Sequence, residues 1–469
     1  MDDSLWCGEI CYRAEGGKGL VVSVKQESRK ISEKTHQRFV YRFLKRTVNT
    51  ETNKDGIQNG FDEMVKCVDY IRNVMMPLID KRYIRMPKVI RVEEDFINLV
   101  NKTVHDVRPD YRMNTEVDPQ CNYAFCLEDA TDVPSAIRSC PTIAIEIKPK
   151  TGFLPLKSAH IRDEHQIRRQ ICKFQIEQRD KVKKRRWKTI SNYCPIDLFS
   201  GDVSRMTSAM RELVKCPQNN LRLFWSEKVI FSQEDFGDLA DILKRYYWNE
   251  CVSSSDDANG LIWSVDDLIH VTIQALLMDV SVSEERKNSQ IVLPEQKCLA
   301  SKWIKTDPAV GDSSSSRLPS GCVLSDILHA QMFDDLDIEG IFPLYQNLIE
   351  KPQQGEERSR LEDWKLDGPY PENWLNNTSD EYAVRKAKEY LASATAKDCS
   401  VMIAVRPKFN GETADVESGV FEVRDTKGTA FLARVSIIDL DIKPTLKIPG
   451  HLKLVTNSTK NFNLDSSHR

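Results

Sequence analysis

Hydrophobic and polar positions follow two different periods along this chain. Runs of β-branched and aromatic residues predict strands at 19–24, 39–44, 89–91, 123–127 and 142–147. Apolar residues three and four apart predict a helix at 61–80, broken near Pro77, and further helices at 162–179, 203–215, 236–247, 264–278, 322–335 and 379–394. Two later apolar runs, 400–405 and 430–440, predict strands that flank a polar loop at 410–427. Interspersed helices and strands without an internal repeat predict an α+β fold.

The same pattern predicts how the chain is divided. We expect two lobes, with residues 1–130 forming the smaller N-terminal lobe and residues 131–469 the larger C-terminal lobe. Two polar stretches, 281–320 and 456–469, carry no apolar periodicity and are predicted to be flexible.

Composition excludes several classes of protein. With 40% hydrophobic and 29% charged residues, the chain can bury a core, and its longest apolar runs are too short to span a bilayer. The 13 cysteines are odd in number and contain no Cys-x-x-Cys pair, which argues against a secreted disulfide framework and a zinc ribbon. The acidic start is unlike a signal peptide. We therefore expect a monomer in the cytoplasm, the nucleus or both, without membrane contact.

Positive charge is concentrated in one segment. The whole chain has 67 basic and 70 acidic residues, a net charge of −3, so nucleic acid is not an expected partner. Between Arg168 and Lys188, however, the sequence contains ten lysines and arginines and only two acidic residues, Glu177 and Asp180. Composition alone leaves three interpretations open: a solvated helix face, a nuclear-localisation-like cluster at Lys181–Arg186, or a site for a polyanion.

Near the N-terminus, a glycine-rich turn precedes a strand. Residues 14–19 read Ala-Glu-Gly-Gly-Lys-Gly, and glycines in such a turn let backbone N–H groups approach phosphate oxygens. The turn is not a Walker A loop, and a simple tight hairpin explains it equally well. Arg42 lies on the next strand, where protein kinases place a cation against nucleotide phosphates, although an exposed edge arginine is the alternative.

Charged residues cluster at the ends of two other predicted strands. In 142–150, Ile143, Ile145 and Ile147 are expected on one face, Glu146 and Lys148 on the other, and Lys150 at the strand mouth after Pro149.

In 436–444, Asp439 and Asp441 are expected on one strand face roughly 7 Å apart, a spacing that suits Mg²⁺, with Lys443 beside them. Asp398 precedes the strand at 400–405 and is either a turn residue or a base that faces a phosphoryl group.

Together these motifs resemble the inositol-pentakisphosphate 2-kinases, which make inositol hexakisphosphate. The resemblance is carried, in order, by the glycine turn and by Glu-Ile-Lys-Pro-Lys-x-Gly-Phe-x-Pro (146–155), Tyr-Cys-Pro-Ile-Asp-Leu-Phe-Ser-Gly (193–201), Gln-Asn-Asn-Leu-Arg (218–222), Thr-Ala-Lys-Asp-Cys-Ser (395–400) and Ile-Asp-Leu-Asp-Ile-Lys-Pro (438–444). Leu-Asp-Ile-Glu-Gly (336–340) is similar to the animal branch.

The resemblance implies a two-lobed inositol phosphate kinase fold, distantly related to protein kinases, with ATP between the lobes. It implies a reaction in which ATP phosphorylates the 2-hydroxyl of inositol 1,3,4,5,6-pentakisphosphate, with Asp398 acting on that hydroxyl. Mg²⁺ would be held by Asp439, with Asp441 beside it. The implied nucleotide contacts are Glu15, Gly16, Gly17, Lys18, Gly19 and Arg42 at the phosphates, and Glu128 and Asp129 at the adenosine.

The implied inositide contacts are mostly cationic, as a substrate with five phosphates requires. They are Arg112, Lys148, Lys150, Lys173, Lys181, Asn219, Arg222, Lys443 and Lys447. Three departures from the family pattern matter. Glu177 is acidic where a basic helix meets the substrate, and His451 occupies the place of a tyrosine in plant members. Plant members also bind a structural zinc, but no matching cluster is evident around Cys298, Cys322 and His329, so we predict no zinc.

A non-catalytic protein is the alternative hypothesis. Such a scaffold would use the basic 168–188 segment to bind inositol polyphosphates, polyphosphoinositides or RNA. Single-strand RNA binding favours aromatic residues interleaved with the cations, and the segment offers only Phe174 and Trp187. The presence of Asp398, Asp439 and Asp441 favours the enzyme.

Overall fold

The structure is a computed structural model that describes residues 8–26, 38–48, 56–135, 140–156, 158–185, 187–234, 237–246, 248, 261–280, 296, 298–301, 318–350 and 380–466. Two six-stranded antiparallel sheets form its framework. The first contains β1 (Gly8–Glu15), β2 (Gly19–Gln26), β3 (Phe39–Thr47), β4 (Lys88–Arg91), β5 (Thr115–Val117) and β6 (Tyr123–Glu128). The second contains β7 (Ile143–Ile147), β8 (Leu221–Trp225), β9 (Lys228–Phe231), β10 (Ser400–Pro407), β11 (Val420–Arg424) and β12 (Ala430–Ile438).

Twelve α-helical segments of the described chain surround these sheets. They are α1 (Gly56–Tyr70), α2 (Met76–Leu78), α3 (Glu94–Val104), α4 (Lys173–Lys183), α5 (Pro195–Leu198), α6 (Val203–Lys215), α7 (Leu239–Arg245), α8 (Val265–Leu277), α9 (Val323–Gln331), α10 (Asp337–Glu350), α11 (Asp380–Ala396) and α12 (Ile448–Ser466). None of the described helices combines the length and the apolar character that a membrane span requires.

The first sheet packs one face against a single helix. Its strands run in the order β1-β2-β3-β6-β4, with β5 paired to the carboxyl end of β3. Leu20, Val22 and Phe43 form a separate small core with Ile97 and Val100 of α3. Period-two alternation on the strands and period-3.6 spacing on α3 supply the two apolar surfaces that meet there.

The second sheet is buried on both faces. Its order is β11-β12-β10-β7-β8-β9, so β7, β10 and β12 are interior strands with neighbours on both sides. All eight residues of β10 and all five of β7 are buried. Ile143, Ile145 and Ile147 face the main core, as predicted, whereas Ala144 faces a second cluster.

Most strands and helices lie where the sequence predicts them, and the α+β class is confirmed. Four predictions need correction. The 410–427 loop contains β11, and the predicted helix 162–179 is a 3₁₀ segment, Asp163–Arg169, followed by α4. The tail is not flexible from 456 onward, because α12 continues to Ser466 and buries Phe462. The strand predicted to 440 ends at Ile438. Most of the predicted flexible segment 281–320 lies outside the described residues.

A buried ion cluster supports the turn between β1 and β2. The Glu15 carboxylate accepts hydrogen bonds from Arg108 at 2.9 and 2.8 Å and from Lys45 Nζ at 2.7 Å, and its side chain is 1% exposed. Burial alone would raise the pKa of Glu15, but the hydrogen bonds from Arg108 and Lys45 lower it. Arg108 also donates to the Thr115 carbonyl at 2.7 Å, which ties the hairpin to β5.

We expect Arg108→Met to destabilise the first sheet. The substitution leaves the buried Glu15 carboxylate with one cationic partner, and breaking a buried pair in this way costs about 3–5 kcal/mol. Hydrogen exchange of the β1–β3 amides should detect the loss. Lys18→Met is the control, because the Lys18–Glu63 pair is exposed at 66% and 54% and contributes about 1 kcal/mol or less. Equal protection in both variants would contradict the role of the cluster.

Candidate active site

The candidate catalytic residues meet at one edge of the second sheet. Strand β10 is antiparallel to both β7 and β12, with Val401 opposite Ile147 and Ser400 opposite Ile438. The carboxyl ends of β7 and β12 therefore lie beside the amino end of β10. Lys148 and Lys150 follow β7, Asp398 precedes β10, and Asp439 follows β12. Segments about 250 residues apart in the chain thus deliver their charged side chains to a single place.

Direct ion pairs join these side chains. Asp398 Oδ2 accepts a hydrogen bond from Lys443 Nζ at 2.7 Å, and Asp398 Oδ1 lies 3.8 Å from Lys150 Nζ. Lys148 Nζ donates to Asp439 Oδ2 at 3.3 Å. The structure therefore brings the predicted catalytic aspartate and one predicted metal ligand into the same group of lysines. Their chemical roles stay predictions.

Asp441 links this edge to the first sheet. Both of its carboxylate oxygens accept from the Arg42 guanidinium, at 2.8 and 3.0 Å. The Arg42 guanidinium also lies 4.6 Å from the centre of the Phe125 ring. Although burial opposes ionisation, Arg42 lowers the pKa of Asp441. The Cys67 thiol donates to the same carboxylate at 3.4 Å. Arg42 therefore lies beside Asp441, and its predicted contact with a nucleotide phosphate stays a prediction.

Two site residues occupy the left-handed backbone region that L-residues rarely adopt. Lys150 has a φ of 62° and Asp439 a φ of 65°. The prediction that Asp439 and Asp441 share one face of a strand is wrong, because β12 ends at Ile438 and the left-handed turn at Asp439 redirects the chain. Such a conformation costs on the order of 1–3 kcal/mol and persists where surrounding contacts fix it.

Mutual charge compensation sets the protonation of the site. Burial would raise the pKa of Asp398, but Lys443, Lys150 and Lys148 together lower it, so the carboxylate is ionised at neutral pH. Burial lowers the pKa of Lys150 to about 8, partly offset by Asp398. Lys148 and Lys181 also contribute to this lowered pKa.

The basic helix α4 borders the same region. Lys173 lies 3.7 Å from Glu177 one turn later, and Lys181 Nζ lies 4.2 Å from the centre of the Trp187 ring. The charge of Lys181 contributes to the lowered pKa of Lys150. Glu177 is turned toward Lys173 and partly neutralises it.

His451 lies near several of these cations. Its pKa falls to about 4, because the ring is buried and is repelled by Lys173, Lys443 and Lys447. The ring nitrogen Nδ1 lies 2.9 Å from the Tyr390 hydroxyl. His451 is therefore neutral at physiological pH in the midst of lysines. The sequence identified its position but not its electrostatic surroundings.

The remaining inositide candidates make no direct contact with Asp398 or Asp439 among the described contacts. Arg222 is paired with the buried Glu146, and its Nε donates to Glu146 Oε2 at 2.8 Å. Asn219 is exposed in the turn before β8, and the neighbouring Asn220 carbonyl accepts from the Lys148 N–H at 2.9 Å. Lys447 is exposed just before α12.

Arg112 lies beside the first sheet. It ends a 3₁₀ turn, Asp110–Arg112, and its guanidinium lies 5.2 Å from the centre of the Tyr111 ring. Among the described contacts, none joins Arg112 directly to the lysines at the sheet edge.

The glycine turn has open space above it. The Gly16 N–H donates to the Gly19 carbonyl at 2.8 Å, which closes a hairpin around Gly17 and Lys18. A Cβ atom added at Gly16 or Gly17 would meet no atom within 4 Å, whereas one at Gly19 would lie 3.3 Å from Arg42 Cγ. The turn and Arg42 are thus adjacent, and a phosphate chain could approach the turn. The Glu15 side chain points away into its ion cluster.

Glu128 and Asp129 have side chains already engaged with protein. Glu128 pairs with Arg434, and Asp129 pairs with Arg13 at 3.0 Å. If an adenine base binds at this segment, its hydrogen bonds would therefore come from backbone groups. The Asp129 N–H donates to the Arg38 carbonyl at 2.9 Å, so only part of that backbone is available.

Three buried thiols form a separate cluster at the amino end of α4. The sulfur atoms of Cys172, Cys194 and Cys298 all lie within 4.8 Å of one another. The Cys172 N–H donates to Cys298 Sγ at 3.3 Å, and the thiols of Cys172 and Cys194 lower the pKa of Cys298 well below its usual value. The expectation that no cluster surrounds Cys298 is wrong, because its partners come from distant segments rather than from Cys322 and His329.

This donor set fits a structural zinc ion, so we replace the sequence-based prediction of no zinc with the expectation that zinc binds here. Zinc takes four ligands in a tetrahedron and accepts thiolates readily, so three cysteines would supply three positions and one further ligand the fourth. One member of the cluster, Cys172, immediately precedes Lys173 in the sequence. Next to Cys194, the Tyr193 hydroxyl donates to the Pro149 carbonyl at 2.8 Å. A metal there would support the helix and the loop that carry the cationic side chains.

Comparison with known proteins gives a consistent result. Residues 12–456 match the family model of inositol-pentakisphosphate 2-kinase. A Danio rerio protein of that name is 32% identical over 476 residues, which cover 97% of this chain and 92% of that protein. Proteins of the same name from Oryza sativa subsp. japonica and Arabidopsis thaliana are 29% and 27% identical, over 78% and 82% of this chain and 70% and 74% of their own lengths.

We expect the chain purified without chelators to contain one zinc ion per molecule, measured by elemental analysis. Cys172→Ser, Cys194→Ser and Cys298→Ser should each reduce the zinc content and lower the thermal midpoint, because structural zinc contributes directly to folding free energy. Cys322→Ser is the control, since Cys322 is buried but lies outside the cluster. Three free thiols, or a disulfide, in a zinc-free wild-type protein would contradict the prediction.

Proposed function

Because this chain belongs to the inositol-pentakisphosphate 2-kinase family, we propose that it transfers the γ-phosphoryl group of ATP to the 2-hydroxyl of inositol 1,3,4,5,6-pentakisphosphate. The product is inositol hexakisphosphate. The observation that carries the proposal is the convergence of Lys148, Lys150 and Lys443 on Asp398 and Asp439 at one sheet edge. A polyanionic acceptor and a transferring phosphoryl group both need such a field.

In this proposal the two sheets mark the two lobes of a kinase-like fold. Residues 1–130 form the N-terminal lobe and 131–469 the C-terminal lobe, and ATP lies between them. The adjacency of the glycine turn to Arg42, and of Arg42 to Asp441, supports a triphosphate at that junction. The adenine would reach the backbone near Glu128 and Asp129, whose side chains are engaged elsewhere.

The carboxylates of Asp439 and Asp441 fit a magnesium ion. Among the described residues, the hydrogen bonds to Asp439, from Lys148 and Ser400, are both to Oδ2, so Oδ1 is the oxygen to offer a metal. Asp441 would have to exchange at least one contact with Arg42 for the metal. When bound, Mg²⁺ supplies charge neutralisation at the β- and γ-phosphates, and oxygen ligands are those it prefers.

The acceptor hydroxyl is assigned to Asp398. As the bond forms between the 2-oxygen and the γ-phosphorus, the bond from that phosphorus to the bridging oxygen breaks and ADP leaves. The hydroxyl proton passes to the Asp398 carboxylate. Because the lysines keep that carboxylate ionised and weakly basic, its main contribution is to orient the hydroxyl.

The inositide phosphates are assigned to the cations around Asp398. Lys150, Lys443 and Lys148 are nearest, while Lys173, Lys181 and Lys447 border the same region. Arg222, Asn219 and Arg112 would complete the contacts from further out. A phosphate that binds Lys443 or Lys150 would replace the carboxylate contact that those ammonium groups make now.

Binding of RNA by the basic segment has no specific observation in its favour. Arg168 is buried and pairs with Asp337 and Glu339 of α10, at 2.5 and 2.8 Å. Arg169 donates to the Leu156 carbonyl at 2.6 Å. Arg168 and Arg169 therefore hold the fold together and are not available as free cations on the surface. Location in cytoplasm or nucleus and the monomeric state stay predictions.

The reaction is tested by incubation of the chain with ATP, Mg²⁺ and the pentakisphosphate, followed by anion-exchange separation of the products. We expect Asp398→Asn to lower kcat by about 10²–10⁴-fold. Loss of one negative charge among the lysines should leave inositide binding by calorimetry as tight as in wild type, or tighter. Asp241→Asn, on the exposed face of α7, is the control. Near-normal turnover by Asp398→Asn would exclude the assignment.

The pH dependence should report Lys150. Four charged groups face it, Asp398, Lys148, Lys181 and Glu177, and its pKa in the free protein is about 8. The protonated form binds phosphate, so kcat/KM for the inositide should fall as pH rises through about 8. In the complex, substrate phosphates raise this pKa, so the decline of kcat should begin at higher pH.

Lys150→Arg is the matching test, because a guanidinium keeps its charge throughout this range. Its kcat/KM profile should lack the alkaline decline, whatever its absolute value. An unchanged alkaline limb in Lys150→Arg would assign the decline to another group.

A further inference from the structure

One buried amide connects the two loops that carry Lys150 and Asp398. Gln331, the last residue of α9, has 0% of its surface exposed. Its Nε2 donates to the Lys150 carbonyl at 2.8 Å and to the Ala396 carbonyl at 3.2 Å. Its Oε1 accepts from the Gly152 N–H at 2.8 Å. All three contacts are to main chain, and none is to a reacting group.

Two of these contacts enclose Thr151 in the manner of a paired strand. The amide oxygen and nitrogen of Gln331 bind the N–H of residue 152 and the carbonyl of residue 150, so the side chain replaces a neighbouring peptide unit. The backbone at Gly152 is also packed closely against the Phe199 ring, since a Cβ atom added there would lie 2.4 Å from that ring. This packing further limits movement of the segment. Gln331 thus helps to hold Lys150 at its φ of 62°.

The third contact reaches the other side of the site. Ala396 is two residues before Asp398, in the turn that the Asp398 N–H closes by donating to the Thr395 carbonyl at 3.1 Å. The Gln331 backbone is itself fixed, because its carbonyl accepts from the Ser393 hydroxyl at 2.5 Å. One side chain therefore ties to α9 both the Lys150 loop and the end of α11, where the Asp398 loop begins.

We propose that Gln331 is a positioning residue, which sets the separation between the Lys150 ammonium and the Asp398 carboxylate through its amide bridge to the two loops. This inference rests on the proposed function for its kinetic consequence, but the geometry itself can be tested without turnover. Lys150 Nζ and Asp398 Oδ1 lie 3.8 Å apart, and neither residue is within a strand or helix that would fix this distance.

Gln331→Met is the principal variant, because it keeps the length of the side chain and removes both donors and the acceptor. A displacement of about 1 Å at a reacting group can cost on the order of 100-fold in rate. We expect kcat to fall by about this factor, with KM for the inositide changing by only a few-fold, since most cationic contacts remain.

A second measurement reads Lys150 directly. The rate at which an amine-reactive acylating reagent modifies Lys150, followed by mass spectrometry across a pH series, gives its pKa in the protein without substrate. Wild type should titrate near 8. In Gln331→Met the loop is released toward solvent, so the pKa should rise toward the usual value of a lysine. A failed kinase assay with wild-type protein would reject the proposed function and leave this result standing.

Gln274→Met is the matched control. Gln274 makes a similar two-point contact, with Nε2 donating to the Arg424 carbonyl at 2.6 Å and Oε1 accepting from the Arg424 N–H at 3.2 Å. Its bridge joins α8 to β11, away from the lysines. The control should keep wild-type kcat and an unchanged Lys150 titration.

Either of two results would overturn the proposal: a Gln331→Met protein with wild-type kcat, or one with reduced kcat but an unchanged Lys150 pKa. If Gln331→Met does not fold, Gln331→Glu takes its place, since it keeps the acceptor for Gly152 and removes at least one donor. Failure of both variants to fold would assign Gln331 to stability alone and reject its positioning role.

Discussion

The repulsion among closely spaced lysines is the constraint on which the candidate site depends. Lys148, Lys150 and Lys443 surround one sheet edge, and without ligand their charge is balanced by Asp398 and Asp439. The same carboxylates that would perform or support the chemistry therefore keep the cations in place. A polyanionic substrate supplies a second set of negative charges, so binding exchanges one set of ion pairs for another instead of creating a field from nothing.

Fixed backbone, more than side-chain charge, gives this arrangement its geometry. Lys150, three residues after β7, and Asp439, immediately after β12, both adopt left-handed conformations where the chain leaves an interior strand. Buried ion pairs in other parts of the molecule, such as those of Glu15 with Arg108 and Lys45, hold the first sheet and its glycine turn. The exposed fractions of the Asp398 and Asp439 side chains, 57% and 50%, show that the reacting edge itself remains accessible.

Much of this was predictable from local sequence. Strands and amphipathic helices follow from their periods, and Lys148, Asp398 and Asp439 stand out as charges next to apolar strands. What local pattern could not supply is the pairing of distant segments. The cluster of Cys172, Cys194 and Cys298 and the amide bridge of Gln331 depend on which strand lies beside which. The break in β12 at Asp439 likewise depends on a conformation that residue type does not reveal.

The low basicity of Asp398 also restricts how the site can work. Three neighbouring lysines lower its pKa, so the carboxylate is a poor proton acceptor while the acceptor hydroxyl is still neutral. Substrate phosphates that draw Lys443 and Lys150 away would weaken that effect and make Asp398 more basic once the inositide is in place. In the proposed mechanism this coupling runs in the useful direction, because proton transfer to Asp398 would become easier only after the acceptor has bound. Correct placement of those two lysines is therefore as important for the reaction as the aspartate itself.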